Sequence, residues 1–164
     1  MTALRDLPSP RAEAWRWADF DGLRAAAELA PGAPVDPATL FLDIDGPRLL
    51  FVNGAFEPAH SFPGPVRVEE MALETEHPLG AMARGEGWRL TLAAGSDAGV
   101  VQVVHIAMGG DNHVPAHITL GEDATATLVE TYAGAGWSNR LCRIALGRGA
   151  RLMRADLRQA RLFR

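Results

Sequence analysis

Three histidines and one cysteine are the residues of this chain best suited to chemistry. His113 and His117 stand four apart, with His105 a strand's length upstream. On a helix, that spacing puts two imidazoles on one face, where they can share a metal ion. Pro115 lies between them, and the surrounding residues read as strand and loop, so the helical geometry is not available. The tight His-x-His of cupin-type metal sites is also absent. The trio is therefore expected to be ordinary strand and loop histidines, not ligands. Cys142 sits between Leu141 and Arg143, with Arg140 close by. An approaching guanidinium lowers a thiol pKa and makes it a nucleophile or a ligand. A lone cysteine in an apolar strand is instead expected to be a small buried hydrophobe.

The remaining chemistry-bearing residues fall into weaker patterns. Paired carboxylates occur at Asp43/Asp45, Glu69/Glu70 and Glu74/Glu76, without a base, nucleophile or metal triad beside them. Acids near helix starts are accounted for by the helix dipole. Gly109-Gly110-Asp111-Asn112 lacks the Lys and following helix of a phosphate-binding loop. Ser61, Ser96 and Ser138 lie outside any nucleophile-elbow pattern. Trp15, Trp17, Trp88 and Trp137 are expected as core and docking anchors. No catalytic, cofactor-binding or metal-binding residue is assigned, and a non-enzyme is expected.

Composition narrows the setting. A chain of 164 residues that is 48% hydrophobic can bury one substantial core and a small appendage. One cysteine excludes an internal disulfide framework. No apolar run approaches the roughly 20 residues of a membrane span. Arg5, Asp6, Pro8 and Glu13 stand where a secretory signal needs apolar residues, so a cytoplasmic protein without a membrane partner is expected. Every basic residue is Arg, and eight of them lie between Arg140 and Arg164, where Asp156 is the only acid. Phe163 is the only aromatic in that stretch and no recognition motif accompanies it, so nucleic-acid binding is not expected. A solvated, basic face, or one that meets an acidic surface elsewhere in a longer protein, is the expectation.

The elements that position these residues change character along the chain. Ser9-Pro10 is a helix start for Arg11 to Trp17. Asp19 or Asp21 caps a second helix over Leu23 to Leu29. Leu49 to Val52, Asn53-Gly54 and Ala55-Phe56 form a hairpin, because Asn and Gly tolerate the positive φ of its turn. Glu74 to Arg84 reads as a short helix, and 84–87 and 95–99 as tight glycine turns. Beyond Trp88 come strands over 89–93, 100–108, 116–120, 124–132, 141–146 and 150–157. A break of in–out parity between Ala126 and Val129 suggests a corner there. Ile118-Thr119-Leu120-Gly121-Glu122-Asp123-Ala124 is echoed 26 residues later by Ile144-Ala145-Leu146-Gly147-Arg148-Gly149-Ala150. A fixed period of that size is the signature of a solenoid, whose coils bury one another's apolar faces. The expected fold is mainly β: a right-handed parallel β-helix, its first coils only, over 88–164, preceded by a small α/β helical and hairpin region over 1–87. The alternative is a jelly-roll or cupin-like metal-binding protein, which also has short strands at such intervals.

Four segments in this order resemble the SufD-type subunit of the SUF iron–sulfur cluster assembly machinery, a member of the SufB/SufD family. They are Leu7 to Phe20 with its Glu13-Ala14-Trp15, the hairpin Leu50-Phe51-Val52-Asn53-Gly54-Ala55-Phe56, the coil His117 to Gly134, and the next coil Ile144 to Leu152. The resemblance implies a non-catalytic scaffold that pairs with a SufB-like subunit and a SufC-like ATPase, largely through regions without counterpart here. It implies an iron–sulfur cluster for the parent complex and none bound by this segment. None of the matched positions is a functional residue of the family. The coils are still being laid down at Arg164, so an N-terminal portion of a longer protein is expected, with a natural short form as the alternative.

Overall fold

The computed structural model describes residues 11, 13–32 and 34–159. Ser9-Pro10, Arg161, Phe163 and Arg164 lie outside them. The helix expected over Arg11 to Trp17 is reduced to one 3₁₀ turn, Glu13–Trp15. So short a segment cannot nucleate a helix without packing, and Trp17, expected as an anchor, is 86% exposed. Trp15 does anchor, with its ring against Phe20 and His77. Helix α1, Phe20–Ala27, begins at Asp19, whose carboxylate accepts the Gly22 N–H at 2.8 Å. A second 3₁₀ turn, Pro37–Leu40, leads to the first strand.

The hairpin forms as its turn residues require. Strands β1, Arg48–Val52, and β2, Ala55–Phe56, pair antiparallel, with Asn53 and Gly54 at φ 50° and 81°. Strand β3 is Arg67–Ala72. The helix expected over 74–84 shrinks to α2, Pro78–Met82, where His77 accepts the Gly80 N–H at 3.2 Å. It stops there because Arg84 enters strand β4, Arg84–Leu92, which pairs antiparallel with β3. The glycine turn expected at 84–87 is thus strand, and the boundary expected between 87 and 88 falls inside β4.

The rest is two long strands and a short one: β5, Asp97–Leu120, β6, Thr125–Leu146, and β7, Arg151–Arg158. The strands expected at 100–108 and 116–120 are halves of β5, which bends at Gly109 and Gly110 (φ 91° and 69°). Those expected at 124–132 and 141–146 are halves of β6, which bends at Gly134 and Gly136. Strand β1 pairs parallel with the first half of β5, and β4 with its second half. On the other edge β6 runs parallel to β5 nearly end to end, and β7 runs parallel to the first half of β6. The fold is mainly β with a mixed sheet whose long neighbours are parallel. A jelly roll pairs its strands antiparallel.

The sequence echo is a register. Ile118 lies beside Ile144 and Leu120 beside Leu146, and below them Leu90 lies beside Ile118 and Leu92 beside Leu120. The glycines that follow each Leu are there for close approach: a Cβ on Gly121 would stand 2.6 Å from the Ala94 nitrogen, and one on Gly147 2.7 Å from the Glu122 nitrogen. The ladders are not equally covered. Ile118 and Leu120 are buried, whereas Ile144 and Leu146 are 42% and 50% exposed. Among the described residues nothing pairs with the second half of β6 on its outer edge.

Two apolar clusters meet across the sheet. Leu49, Phe51, Trp88, Leu90, Val103 and Ile118 belong to the inner one. Leu50, Val104, Ile106 and Ala133 face the other way, against Leu40 and Phe41. Gln102, buried, pins that cover by donating to the Leu42 and Ile44 carbonyls and accepting the Leu42 N–H. The parity break near Val129 is therefore no corner. Strand β6 runs straight through it, and both of its faces are covered.

Candidate functional site

At the exposed end of the sheet one inward-facing column turns from apolar to charged. Leu49 and Phe51 of β1 lie beside Val103 and His105 of β5. Val101, Val103 and His105 lie beside Leu128, Glu130 and Tyr132 of β6, and these beside Arg154, Asp156 and Arg158 of β7. Glu130 has the same parity as Leu128 and Tyr132, so the pleat of the strand aims its carboxylate inward with Leu128.

That carboxylate is fully engaged. Its side chain is 4% exposed, with Arg154 Nη2 at 2.5 Å from one oxygen and His105 Nε2 at 3.2 Å from the other. Arg154 also reaches Asp156, Nε to Oδ1 at 3.3 Å. Burial alone would raise the Glu130 pKa, but His105, Arg154 and Arg140 outweigh it and hold the group below its ordinary value. An ionised carboxylate only accepts, so the His105 proton sits on Nε2. Burial first, and then Arg140, depress the His105 pKa to about 4, and the ring is neutral at pH 7. It is stacked between Phe51 (5.8 Å) and Tyr132 (5.0 Å). Its Nδ1 is buried without a hydrogen-bond partner.

Arg140 borders this column. Its guanidinium lies 5.4 Å from the centre of the Tyr132 ring, and Nη1 donates to the Asn112 and Asn139 carbonyls at 3.2 and 3.0 Å. Burial works against its charge and lowers its pKa. Its Nε is buried without a partner. Burial and then Glu130 push the Tyr132 phenol up to about 12, so it stays protonated. An open cleft of about 460 Å³ lies here, lined by Ala107, Tyr132, Gly134, Ser138, Arg140 and Arg158.

The residues singled out in the sequence are dispersed. His113 donates from Nε2 to Asp111 at 3.1 Å and accepts from Asn139 at 3.1 Å, edge-on to the buried Trp137. His117 accepts from Arg89, which also bonds Glu69 at 2.7 Å. His105 belongs to the column. Among the described residues no three or more His, Cys, Asp or Glu side chains converge as a metal site would require. Cys142 packs against the inner core, and burial and then Glu130 push its pKa to about 11, so it is a thiol at pH 7. Gly109 and Gly110 form the bend in β5, and Ser61 bridges the Leu50 N–H and the Glu57 carbonyl. Trp88 is core.

The basic stretch is not simply a solvated face. Arg154 pairs with Glu130 and Asp156, and Arg148 with Glu122. Sequence reasoning missed Glu130, although a charge on the same parity as Leu128 and Tyr132 was a readable signal. What the arrangement can do is hold a buried ion pair and present cations to a cleft; it does not set a nucleophile against a base. No family model matches this chain, and no curated protein matches it. Among the described residues no helix is long and apolar enough to cross a membrane.

Proposed function

We propose that the chain is a non-catalytic, cytoplasmic scaffold component of iron–sulfur cluster assembly, SufD-like, and that its coils belong to a right-handed parallel β-helix. One observation supports the reading: Leu90, Ile118 and Ile144 lie side by side in adjacent parallel strands, as do Leu92, Leu120 and Leu146, and the step from Ile118 to Ile144 is the 26-residue period of the sequence echo. Exposed Ile144, Leu146, Met153 and Leu157 along the last strands support a role through protein contacts. The partners are a SufB-like subunit and a SufC-like ATPase, and the cluster belongs to the complex.

Affinity purification of the protein tagged at its own gene tests this. SufB-like and SufC-like proteins should co-purify, and deletion of the gene should lower the activity of iron–sulfur enzymes without lowering their abundance. Absence of both effects would refute the assignment. Stoichiometric zinc, iron or manganese in the purified chain would favour the cupin-like alternative.

A further inference from the structure

We propose that the outer edge of β6, over its second half up to Leu146, takes up one more strand, supplied by an extended acidic–apolar segment of a different protein. Such a contact is of the kind a scaffold makes. Its test needs no protein of iron–sulfur assembly, so the two readings fail separately. Among the described residues β7 covers only the first half of β6, and nothing pairs with the second half on that side. The backbone there presents a row of open hydrogen-bonding positions, which is the template for strand addition. The usual guards of such an edge are missing. No Pro stands between Trp137 and Leu146, and the inward positions Cys142, Ile144 and Leu146 carry no charge.

The neighbouring strands define what the added one must carry. The inward columns across β4, β5 and β6 are Leu90, Ile118 and Ile144, and Leu92, Leu120 and Leu146. The first two members of each are buried, whereas Ile144 and Leu146 are about half exposed. Apolar residues at alternate positions of an added strand would cover them. The outward column between these two is basic: Arg89, His117 and Arg143. At its inner end Glu69 pairs with Arg89 at 2.7 Å. At its outer end Arg143 donates to the Glu74 carbonyl, and among the described residues no carboxylate lies within ion-pair distance of it. An acid beside Arg143 on the added strand supplies the missing partner, since opposite charges on facing positions of neighbouring strands attract. The same charge disfavours a second copy of this edge. From Arg140 to Arg158 there are six arginines and one acid, Asp156, so two such edges side by side would repel.

Fluorescence anisotropy of a labelled peptide, Thr-Val-Glu-Ile-Thr-Leu-Thr, titrated with the full chain at low ionic strength tests the proposal. In register, its Glu lies beside Arg143 and its Ile and Leu beside Ile144 and Leu146. Binding should saturate. The peptide with Lys for Glu should bind about threefold more weakly or worse, and one with Pro for Ile should not saturate. Arg143 is exposed, so Arg143→Glu should keep the wild-type unfolding midpoint while inverting the preference in favour of the Lys peptide. Ile144→Lys should abolish binding of every peptide. Outward-facing amides of 141–146 should exchange fast in the free chain and slowly with the Glu peptide bound. Absence of saturable binding, equal binding of the Glu and Lys peptides, or a preference unchanged by Arg143→Glu would overturn the proposal. So would outward amides already slow in the free chain, which would mean that this chain covers its own edge. Concentration-dependent dimers that Ile144→Lys abolishes would overturn it too, and make a second copy the occupant.

Discussion

The inner column is built in two ways within the same sheet. Where β1 meets β5 it is Leu49 beside Val103, both fully buried and apolar. One strand further on, Val103 lies beside Glu130, and then Glu130 beside Asp156. The first pair is held by area removed from water. The second sets two acids side by side and is held by Arg154, which pairs with both, a gain that the desolvation of the buried Glu130 nearly cancels. The same backbone register therefore produces a rigid floor at one end and a polar, partly open surface at the other. Stability should reside in the first and recognition in the second.

The sharpest way to break that comparison uses one ladder. Ile118→Ala, at a fully buried position, should cost about 2–5 kcal/mol in denaturant unfolding. Ile144→Ala, beside it but 42% exposed, should cost less than about 1 kcal/mol. Equal losses would show that Ile144 is covered in solution.

The charged column comes next. Arg154→Ala leaves Glu130 buried with one donor and should destabilise by about 2–3 kcal/mol, at the low end for a buried pair because Arg154 is itself 35% exposed. Replacing both charges, as Glu130→Leu with Arg154→Leu, should restore most of that loss. A double variant worse than the single one would mean that the pair is a net source of stability.

Acid should act on the same column. The His105 pKa is depressed in the fold from 6.5 to about 4, so the unfolded chain takes up the proton first. Its contribution is present above pH 6.5 and is lost as pH falls from there to about 4; between pH 7 and 5 the loss is on the order of 2 kcal/mol. Glu130 acts in the same direction at lower pH, since its pKa too is held down. His113 and His117 are likewise depressed and add to the upper window. His105→Gln keeps a donor to Glu130 and should flatten the pH 7-to-5 difference by the His105 share alone. An unchanged pH profile would remove His105 from the buried column.

The smallest effect belongs to Arg148, 85% exposed beside Glu122. Arg148→Ala should change stability by less than about 0.5 kcal/mol, although it lies on the same basic stretch as Arg154.

What the sequence disclosed follows from range. The Asn53-Gly54 turn was readable because two neighbouring residues decide it. The echo was readable because Ile118 and Ile144 do the same job in adjacent strands. Its third member, Leu90-Thr91-Leu92, escaped notice because Ala93 stands where Gly121 and Gly147 stand and the spacing is two residues longer. The long strands were read as fragments because Gly109-Gly110 and Gly134 resemble loop residues, yet they bend a strand without ending it. Trp17 was misjudged because nothing local says which ring finds a partner. The column of His105, Glu130, Arg154 and Asp156 needed the register of three strands, which no window along the chain contains.

The claim on which all of this depends is that residues 26 apart lie side by side in parallel strands. Disulfide trapping in a Cys142→Ser background tests it directly. Thr119→Cys with Ala145→Cys, in register across β5 and β6, should cross-link under mild oxidation, whereas Thr119→Cys with Arg143→Cys, two residues out of register, should not. Failure of the first pair, or equal cross-linking of the second, would contradict the account.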